Sequence, residues 1–255
     1  MEADEIAKLA ALEDTHWWYE ERRTVLDNQL KQFATPGTAL DIGACCGGNT
    51  RVLIENGWRA MALDYSRTGP EICRTRGVTA VQGDATRLPF PTASLDLVVA
   101  YDILEHIEDD AAAVREAHRV LRPGGQFLVA VPADPELWSA HDVAVLHCRR
   151  YTPSALTELI SANGFAISRR WNWNVIMKPA LKLRRNKIAG SDLDDVPPML
   201  NSVLRGLIRM ERYLPLSGLP GVSLFLQAEA LQTEPDRDPD EDEEIHATAR
   251  AVALR

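Results

Sequence analysis

Residues 38–50 read TALDIGACCGGNT, and this stretch decides the fold of the chain. The pattern predicts a short buried strand over 39–42, which breaks into a turn of small residues and then a helix. A carboxylate, Asp41, closes the strand, and Gly43 and Gly47 follow it. A strand end, a glycine turn and a helix N-terminus together favour a site for a nucleotide-like ligand.

The spacing within this turn separates two classes of nucleotide site. A dinucleotide site uses G-x-G-x-x-G, whereas here four positions lie two apart: Asp41, Gly43, Cys45 and Gly47. Cys45 stands where a glycine would let the backbone approach a ligand closely. We expect its side chain to point away, so that ligand binding survives. A disulfide or metal site at the adjacent cysteines 45 and 46 is the less favoured alternative.

Composition limits the class of protein. The 255 residues are 45% hydrophobic and 25% charged, which suits one soluble domain with an extension rather than two full domains. The N-terminal MEADEIAKLA is acidic and lacks an apolar stretch, so we expect no secretory signal. No apolar run approaches the ~18 residues that cross a bilayer. The four cysteines lack C-x-x-C spacing, so we expect free thiols, no metal and a cytoplasmic location.

The net charge of −9 hides two segments of opposite sign. Residues 234–244 hold eight acids and one arginine, whereas residues 149–187 hold nine basic residues and one acid. The basic segment includes MKPALKLRRNKI, which mixes apolar and basic residues as interfacial helices do. It predicts either an anionic substrate or docking at an anionic membrane surface, and a solvated basic face is the alternative. We expect no nucleic acid as a partner, because the chain is acidic overall and shows no binding module.

Strands and helices alternate from residue 39 to residue 131, which predicts a parallel sheet wrapped by helices. A helical pattern over 3–33 precedes this unit. Further helices are expected to start near positions 48, 67 and 109, and the last ends at the R-P-G-G of 122–125. The predicted strands of this half span 39–42, 59–63, 79–82, 95–100 and 126–131.

The regular alternation of strands and helices ends at Pro132. An irregular stretch over 133–151 leads to a helix at 153–163, a strand at 165–173, two helical segments at 175–188 and 199–214, and a final strand at 221–231. Two helices before the last strand imply an insertion over one end of the sheet.

We expect a single domain over residues 1–232. Its parts are a helical lid, a ligand-binding core, a substrate-side half and a helical insertion, at 1–34, 38–132, 133–232 and 174–219 respectively. The tail at 233–255 is acidic, contains proline and lacks aromatic residues, which predicts disorder.

Polar residues follow the first four predicted strands, where an open α/β sheet binds its ligand. Asp64 lies about twenty residues after the turn, where a carboxylate accepts hydrogen bonds from both ribose hydroxyls. Asp84 is placed to accept from an adenine amino group, with the backbone amide of Ala85 facing a ring nitrogen. Tyr101 and Asp102 follow the fourth strand. For any single acid, the alternative is a carboxylate that only caps a turn.

Five further motifs follow in register: G-D-A, L-P-F, L-D-L-V, Y-D-I-L-E-H and V-L-R-P-G-G. Together with the turn, residues 38–132 resemble class I S-adenosylmethionine (SAM)-dependent methyltransferases that modify small molecules, and the resemblance extends more loosely to residue 231. It implies an α/β, Rossmann-like, seven-stranded and mostly parallel sheet with helices on both faces. The last strand would run antiparallel, and SAM would be the cofactor and methyl donor.

The resemblance assigns SAM contacts to Asp41, Gly43, Gly47, Asp64, Asp84 and Ala85. We add their neighbours and the residues expected near the methionine end of SAM, which are Ala44, Tyr65, Tyr101, Tyr19 and Arg22.

The segment HWWYEERR at 16–23 resembles one branch of these enzymes, in which the leading helix closes over SAM. Methyl transfer needs alignment and exclusion of water, so a lid is expected. An aromatic ring near the sulfonium would add cation–π attraction, and an arginine such as Arg22 or Arg23 would hold the methionine carboxylate. The alternative is that Trp17 and Trp18 only attach this helix to the sheet.

An oxygen or nitrogen acceptor loses a proton, so a general base is expected. The catalytic candidates are His147, His106 and Tyr151, with His141 a weaker one. For His106, a structural hydrogen bond is the alternative.

We therefore predict a SAM-dependent methyltransferase acting on a small molecule that is anionic or lipid-linked, with O-methylation favoured over N- or C-methylation. Two alternatives stay open. The absence of an unmistakable base, together with Cys45, allows a SAM-binding module without catalysis. A nicotinamide oxidoreductase is opposed by the glycine spacing.

Overall fold

A computed structural model describes residues 3–185 and 196–232, which form one seven-stranded sheet flanked by helices. The strands are β1 (Thr38–Ile42), β2 (Arg59–Asp64), β3 (Ala80–Gln82), β4 (Leu95–Tyr101), β5 (Leu121–Pro132), β6 (Phe165–Trp173) and β7 (Ser223–Ala230). The helices are α1 (Ala3–Leu12), α2 (Trp17–Leu30), α3 (Gly48–Glu55), α4 (Thr68–Thr75), α5 (Asp110–Val120), α6 (Ala140–Ala144), α7 (Pro153–Ala162), α8 (Lys178–Arg185) and α9 (Pro198–Glu211).

The strand order is β3-β2-β1-β4-β5-β7-β6, and β7 pairs antiparallel with both of its neighbours. The other strand pairs in the sheet are parallel. The predicted Rossmann-like sheet with an antiparallel last strand is therefore confirmed. Its strand order reverses between β1 and β4, and a ligand crevice forms at such a reversal.

Helices cover both faces of the sheet, so its central strands are mostly apolar. Successive side chains of a strand point to opposite faces. Leu40 and Ile42 pack on the face that α5 and α7 cover, while Ala39 packs on the other face. That second face is covered by α2, α3 and α9, which contribute Leu26, Leu53 and Ile208.

Two elements differ from the sequence prediction by more than shifts of a few residues at their ends. The helical pattern over 3–33 forms two helices, because the chain turns at residues 13–16 and the His16 ring accepts from the Trp18 amide to start α2 (3.3 Å). Strand β5 begins at Leu121 rather than at 126, and it carries the R-P-G-G turn as an irregularity opposite β4. Parts of two predicted segments, 186–188 and the tail at 233–255, lie outside the described residues.

The helical insertion before the last strand is present as α8 and α9. Helix α9 lies beside α2, where the Trp17 amide donates to the side-chain oxygen of Asn201 (2.8 Å). Within the described ranges, no helix is long and apolar enough to span a bilayer.

Glu21 joins α2 to α9 from a fully buried position. Its carboxylate accepts from Nε of Arg209 (2.9 Å) and forms an ion pair with Arg212. Breaking a buried pair leaves its partners uncompensated, which is costly, although both arginines are partly exposed and the cost is reduced accordingly.

We expect Glu21→Gln to lower the free energy of unfolding by about 1–3 kcal/mol, because the arginines lose their buried counter-charge. Urea unfolding followed by tryptophan fluorescence measures this loss. Glu20→Gln is the matched control, since Glu20 pairs with Arg205 at a more exposed position and should cost about 0–1 kcal/mol. Equal losses in the two variants would contradict the assignment of Glu21 as the link between the helices.

Candidate active site

The carboxyl ends of β1, β2 and β3 form one rim of the sheet, and each brings an aspartate to it. Ile42 aligns with Leu63, and Asp64 aligns with Gln82, so the three strands end level with one another. Asp41 and Asp64 therefore lie at the ends of β1 and β2, and Asp84 follows β3, as the sequence predicts for a site across the strand ends.

Asp41 is almost completely buried, and its Oδ2 accepts from the hydroxyl of Thr50 (2.7 Å). This bond ties the end of β1 to α3. Burial raises the pKa of Asp41 to about 7, although the bond from Thr50 opposes the rise, and the charge of Asp64 adds to it.

Asp64 holds the turn that follows β1. It accepts from the backbone amide of Cys45 (2.9 Å) and from both the amide and the hydroxyl of Ser66 (2.8 and 2.7 Å). Asp84 is exposed and accepts from the amide and the hydroxyl of Thr86 (2.8 and 2.7 Å). Both acids therefore cap turns, the role that was the alternative at the sequence level.

The turn itself adopts left-handed backbone angles at Gly43 (φ 71°), Cys45 (φ 48°) and Gly47 (φ 83°). A Cβ at Gly43 would lie 2.7 Å from the side chain of Ile103, so only glycine fits there. The left-handed angle at Cys45 costs about 1 kcal/mol or more for a residue with a side chain. Its Sγ lies 3.5 Å from Sγ of Cys46, and both thiols are free.

Helix α1 covers the turn. Its Ile6 carbonyl lies 3.5 Å from Sγ of Cys46, and its Ala10 carbonyl accepts from Arg76, which also donates to the carbonyl of Cys46 (2.8 and 3.0 Å). Glu13, just after α1, forms an ion pair with the same arginine. These contacts give α1 the position of a lid on the glycine turn.

Helix α2 reaches the tip of β4 through Arg22, which is 3% exposed. Its guanidinium lies 2.6 Å from the carboxylate of Asp102 and donates to the Ser223 hydroxyl (3.0 Å). Four rings surround it at 5.1–5.7 Å, those of Trp18, Tyr101, Trp173 and Phe225. Burial and the nearby Asp102 raise the pKa of Tyr19, so this residue lies close to the same tip.

A second group of polar side chains lies beyond β4. His147 Nδ1 is 2.9 Å from Oδ1 of Asp142, and its Nε2 is 3.9 Å from Oε1 of Glu105. His106 Nδ1 is 3.3 Å from the carbonyl of Leu146, and the rings of His106 and His147 are 4.8 Å apart.

Burial shapes the electrostatics of this group. It raises the pKa of Glu105 well above its usual value, and Asp102 adds to the rise. Burial and the neighbouring His147 lower the pKa of His106 to about 4. Burial also opposes the charge of Asp142, but hydrogen bonds from His147 and Arg150 lower its pKa overall.

The architecture and the rim agree with known proteins. A family model described as a methyltransferase domain matches residues 40–129. These residues therefore resemble a methyltransferase domain, and the seven-stranded sheet has the fold of solved SAM-dependent methyltransferases.

Among curated relatives, a probable S-adenosylmethionine-dependent methyltransferase of Mycolicibacterium smegmatis is 31% identical, over 62% of this chain and 63% of its own length. The 2-methyl-6-phytyl-1,4-hydroquinone methyltransferase 2 of rice is 33% identical, over 48% of this chain and 37% of its own. The chain thus spans less than two thirds of the curated relatives it matches. A solved complex of the Haloferax volcanii Trm112 methyltransferase activator and a putative methyltransferase shares the fold, with TM-score 0.62, 19% identity, and coverage of 90% and 96% of the two chains.

The rim formed by β1, β2 and β3 suits SAM, the cofactor that the name of the Mycolicibacterium smegmatis relative states. A carboxylate offers about four acceptor sites. Asp64 and Asp84 use three and two of them within the protein, so each keeps capacity for a ribose or adenine donor. The first amides of α3 face the same turn. The carboxylate acceptors and backbone amides of this rim therefore fit the adenosyl group. The individual contacts, including those of Gly43, Ala44, Gly47 and Ala85, stay predictions.

Several residues that the sequence predicted for the site make contacts away from the rim. Tyr101 lies in the core with its hydroxyl bonded to Gln29, and Tyr151 lies in the core with its hydroxyl donating to Asp110 (2.7 Å). These two hydroxyls are therefore placed as structural groups rather than at the rim. Tyr65, by contrast, is 76% exposed.

The residues of α2 that were predicted to form a lid also make structural contacts. Trp17 is buried in the core and Trp18 packs on Trp173 with ring centres 5.0 Å apart, which supports the alternative that the tryptophans attach the helix. Arg22 meets a protein carboxylate, that of Asp102, so holding the methionine carboxylate would be a second contact for it.

Three acidic residues beside the tip of β4 were not among the site residues that the sequence predicted. Glu105 stands in the quoted motif Y-D-I-L-E-H, directly before His106, and Asp142 lies five residues before His147. Asp102 was quoted only as a strand-end residue. The position of Glu105 next to the candidate His106 could have indicated its role from the sequence. Its contact with His147, however, is visible only in the folded chain.

Asp41→Asn should change the pH dependence of stability. Because the native pKa is about 7 and the ordinary value is 3.8, the native carboxyl holds its proton while the unfolded one has lost it, and wild-type stability falls as pH rises through this window. The variant lacks this fall, so its stability relative to wild type should improve between pH 4 and 7 by up to about 4 kcal/mol. Urea unfolding at several pH values measures it, with the exposed Asp84→Asn as control. A constant difference across this range would contradict the burial argument.

Cys45→Gly should bind SAM at least as tightly as the wild type and should be more stable by about 1 kcal/mol, because glycine adopts the left-handed angle freely. Calorimetric titration with SAM and thermal unfolding measure the two effects, and Cys148→Ser at an exposed thiol controls for cysteine removal. A wild type without measurable affinity that gains binding in the variant would show that the thiol blocks the site.

Proposed function

We propose that this chain transfers the methyl group of SAM to a hydroxyl-bearing small molecule. The observation that carries the proposal is the continuity of the two polar groups. Asp102, at the tip of β4, pairs with Arg22 on the cofactor side, and Glu105, three residues further on, faces Nε2 of His147 at 3.9 Å on the other side. A methyl donor bound at the rim would thus end beside the histidines.

The reaction is an in-line displacement. The acceptor oxygen, having lost its proton, bonds to the methyl carbon while the carbon–sulfur bond breaks, and sulfur keeps the electron pair as S-adenosylhomocysteine forms. The protein contributes mainly alignment and exclusion of water. Here α1 and α2 cover the turn and the tip of β4, so they exclude water on the cofactor side. That His147 or His106 takes the proton stays a prediction.

We further propose a lipid-linked acceptor. Exposed apolar residues follow one stripe of α9 and its end, at Met199, Val203, Met210 and Leu214, and Tyr213 beside them is 88% exposed. Such a stripe on a helix with basic residues suits the surface of an anionic membrane. The name of the rice relative, a phytyl hydroquinone methyltransferase, supports an acceptor with an apolar chain and phenolic hydroxyls.

The test is formation of S-adenosylhomocysteine with a prenylated hydroquinone in anionic vesicles and with a short-chain soluble hydroquinone. Val203→Glu should lower turnover of the vesicle-borne acceptor about 10-fold by weakening interfacial binding, and should leave turnover of the soluble one unchanged. Ser202→Glu, exposed on the neighbouring position, is the matched control.

Equal effects of the two variants would contradict membrane docking by this stripe. No S-adenosylhomocysteine with any hydroxyl-bearing acceptor, despite measurable SAM binding, would favour the alternative of a SAM-binding module without catalysis.

A further inference from the structure

Three side chains of metal-ligand type meet beside the tip of β4. One ligand atom from each of Glu105, His106 and His147 lies within 4.8 Å of the other two. Two of them stand next to each other after β4, and the third comes from the loop after β5, 41 residues further along the chain. The loop is anchored where the Cys148 amide donates to the Glu105 carbonyl (2.7 Å).

Glu105 is the decisive member of this cluster. Its side chain is fully buried, and neither carboxylate oxygen accepts a hydrogen bond from any residue that the structure describes. Burying a carboxylate without a partner is among the costliest arrangements in a protein. A bound cation would supply the missing partner.

Both histidines are oriented as ligands usually are. A metal-bound histidine commonly gives its other ring nitrogen to a carboxylate or a backbone carbonyl, which fixes the ring. Here Nδ1 of His147 faces Asp142, and Nδ1 of His106 faces the Leu146 carbonyl. Within the described part of the chain neither Nε2 atom takes part in a hydrogen bond, and Nε2 of His147 lies 3.9 Å from Oε1 of Glu105.

We propose that Glu105, His106 and His147 bind one divalent cation of the zinc class, with an open position for the acceptor oxygen. Two histidines and one carboxylate suit Zn²⁺ and its neighbours, and a site with three protein ligands keeps a fourth position open. Zinc bonds of about 2.1 Å separate tetrahedral ligand atoms by about 3.4 Å. Small rotations of these side chains would therefore bring the ligand atoms, now within 4.8 Å of one another, to the distances of a zinc site.

The role in transfer rests on the proposed function. The cation would lie on the acceptor side of Asp102 and hold the acceptor oxygen towards the methyl group. Histidines that ligate a cation are not general bases, so this inference replaces the role predicted for them. The cation would instead lower the pKa of the bound acceptor hydroxyl, and the proton would leave to solvent water. It also differs from the expectation of no metal, which rested on cysteine spacing.

The test uses the full chain, free of affinity tag and stripped with a chelator. Titration with Zn²⁺ by calorimetry, and with Co²⁺ by its visible absorption, should show one ion per chain, whereas Mg²⁺ should not bind at the same concentrations. Glu105→Gln and His147→Gln should each weaken binding more than about 10-fold. His118→Gln, a histidine on α5 outside the cluster, should bind as the wild type does.

Apo stability supplies a second readout. Zn²⁺ should raise the melting temperature of the wild type and of His118→Gln but not that of Glu105→Gln. The apo form of Glu105→Gln should be at least as stable as the apo wild type, because the substitution removes an unpartnered buried carboxylate. If this variant does not fold, His106→Gln, half-buried at the edge of the cluster, takes its place.

A wild type that takes up no ion, or a Glu105→Gln variant that binds as His118→Gln does, would overturn the proposal. Uptake of one ion without S-adenosylhomocysteine formation would uphold the site and count against the proposed function. Product formation by a chain that takes up no ion would support the proposed function and contradict the cation site.

Discussion

The pairing of Arg22 with Asp102 is the interaction on which the candidate active site depends. A buried guanidinium needs both a counter-charge and hydrogen bonds, and this one finds them in Asp102 and in the hydroxyl of Ser223. Aromatic rings from α2, β4, β6 and β7 surround it and add cation–π attraction. One side chain therefore holds α2, the tip of β4 and the last two strands in one arrangement.

This arrangement separates the site into two halves with different chemistry. On one side, Asp64 and Asp84 cap turns with acceptor capacity to spare, and a glycine turn leads into a helix N-terminus. On the other side, Asp142 organises the loop after β5 by accepting from Arg150 (2.7 Å) and the Ser139 amide (2.9 Å) and by orienting His147. Asp102 lies between the two halves. It pairs with Arg22 on one side, and on the other its charge helps to raise the pKa of Glu105.

Much of the fold was predictable from the sequence because its signals are local. Strand β6 has the predicted bounds, and the others differ mainly at their ends. The break between α1 and α2 was missed, since the helical periodicity continues through residues 13–16 and only the cap formed by His16 interrupts it. The positions of Tyr101 and Tyr151 were also missed. A tyrosine at a strand end has the same sequence signature whether its hydroxyl faces a ligand or a buried partner such as Gln29 or Asp110.

The sequence by itself determined the parallel sheet and the rim of aspartates, because both follow from hydrophobic periodicity and turn residues within short segments. It determined the cofactor class through the resemblance of residues 38–132 to SAM-dependent methyltransferases. Only the tertiary structure decided which side chains meet across that rim. Glu105 and His147 are separated by 42 positions, and their contact depends on where the loop after β5 packs. Burial decided the rest. Only the folded chain shows that the Asp84 carboxylate is solvated, whereas the Glu105 carboxylate is enclosed without a hydrogen-bond donor among the residues that the structure describes.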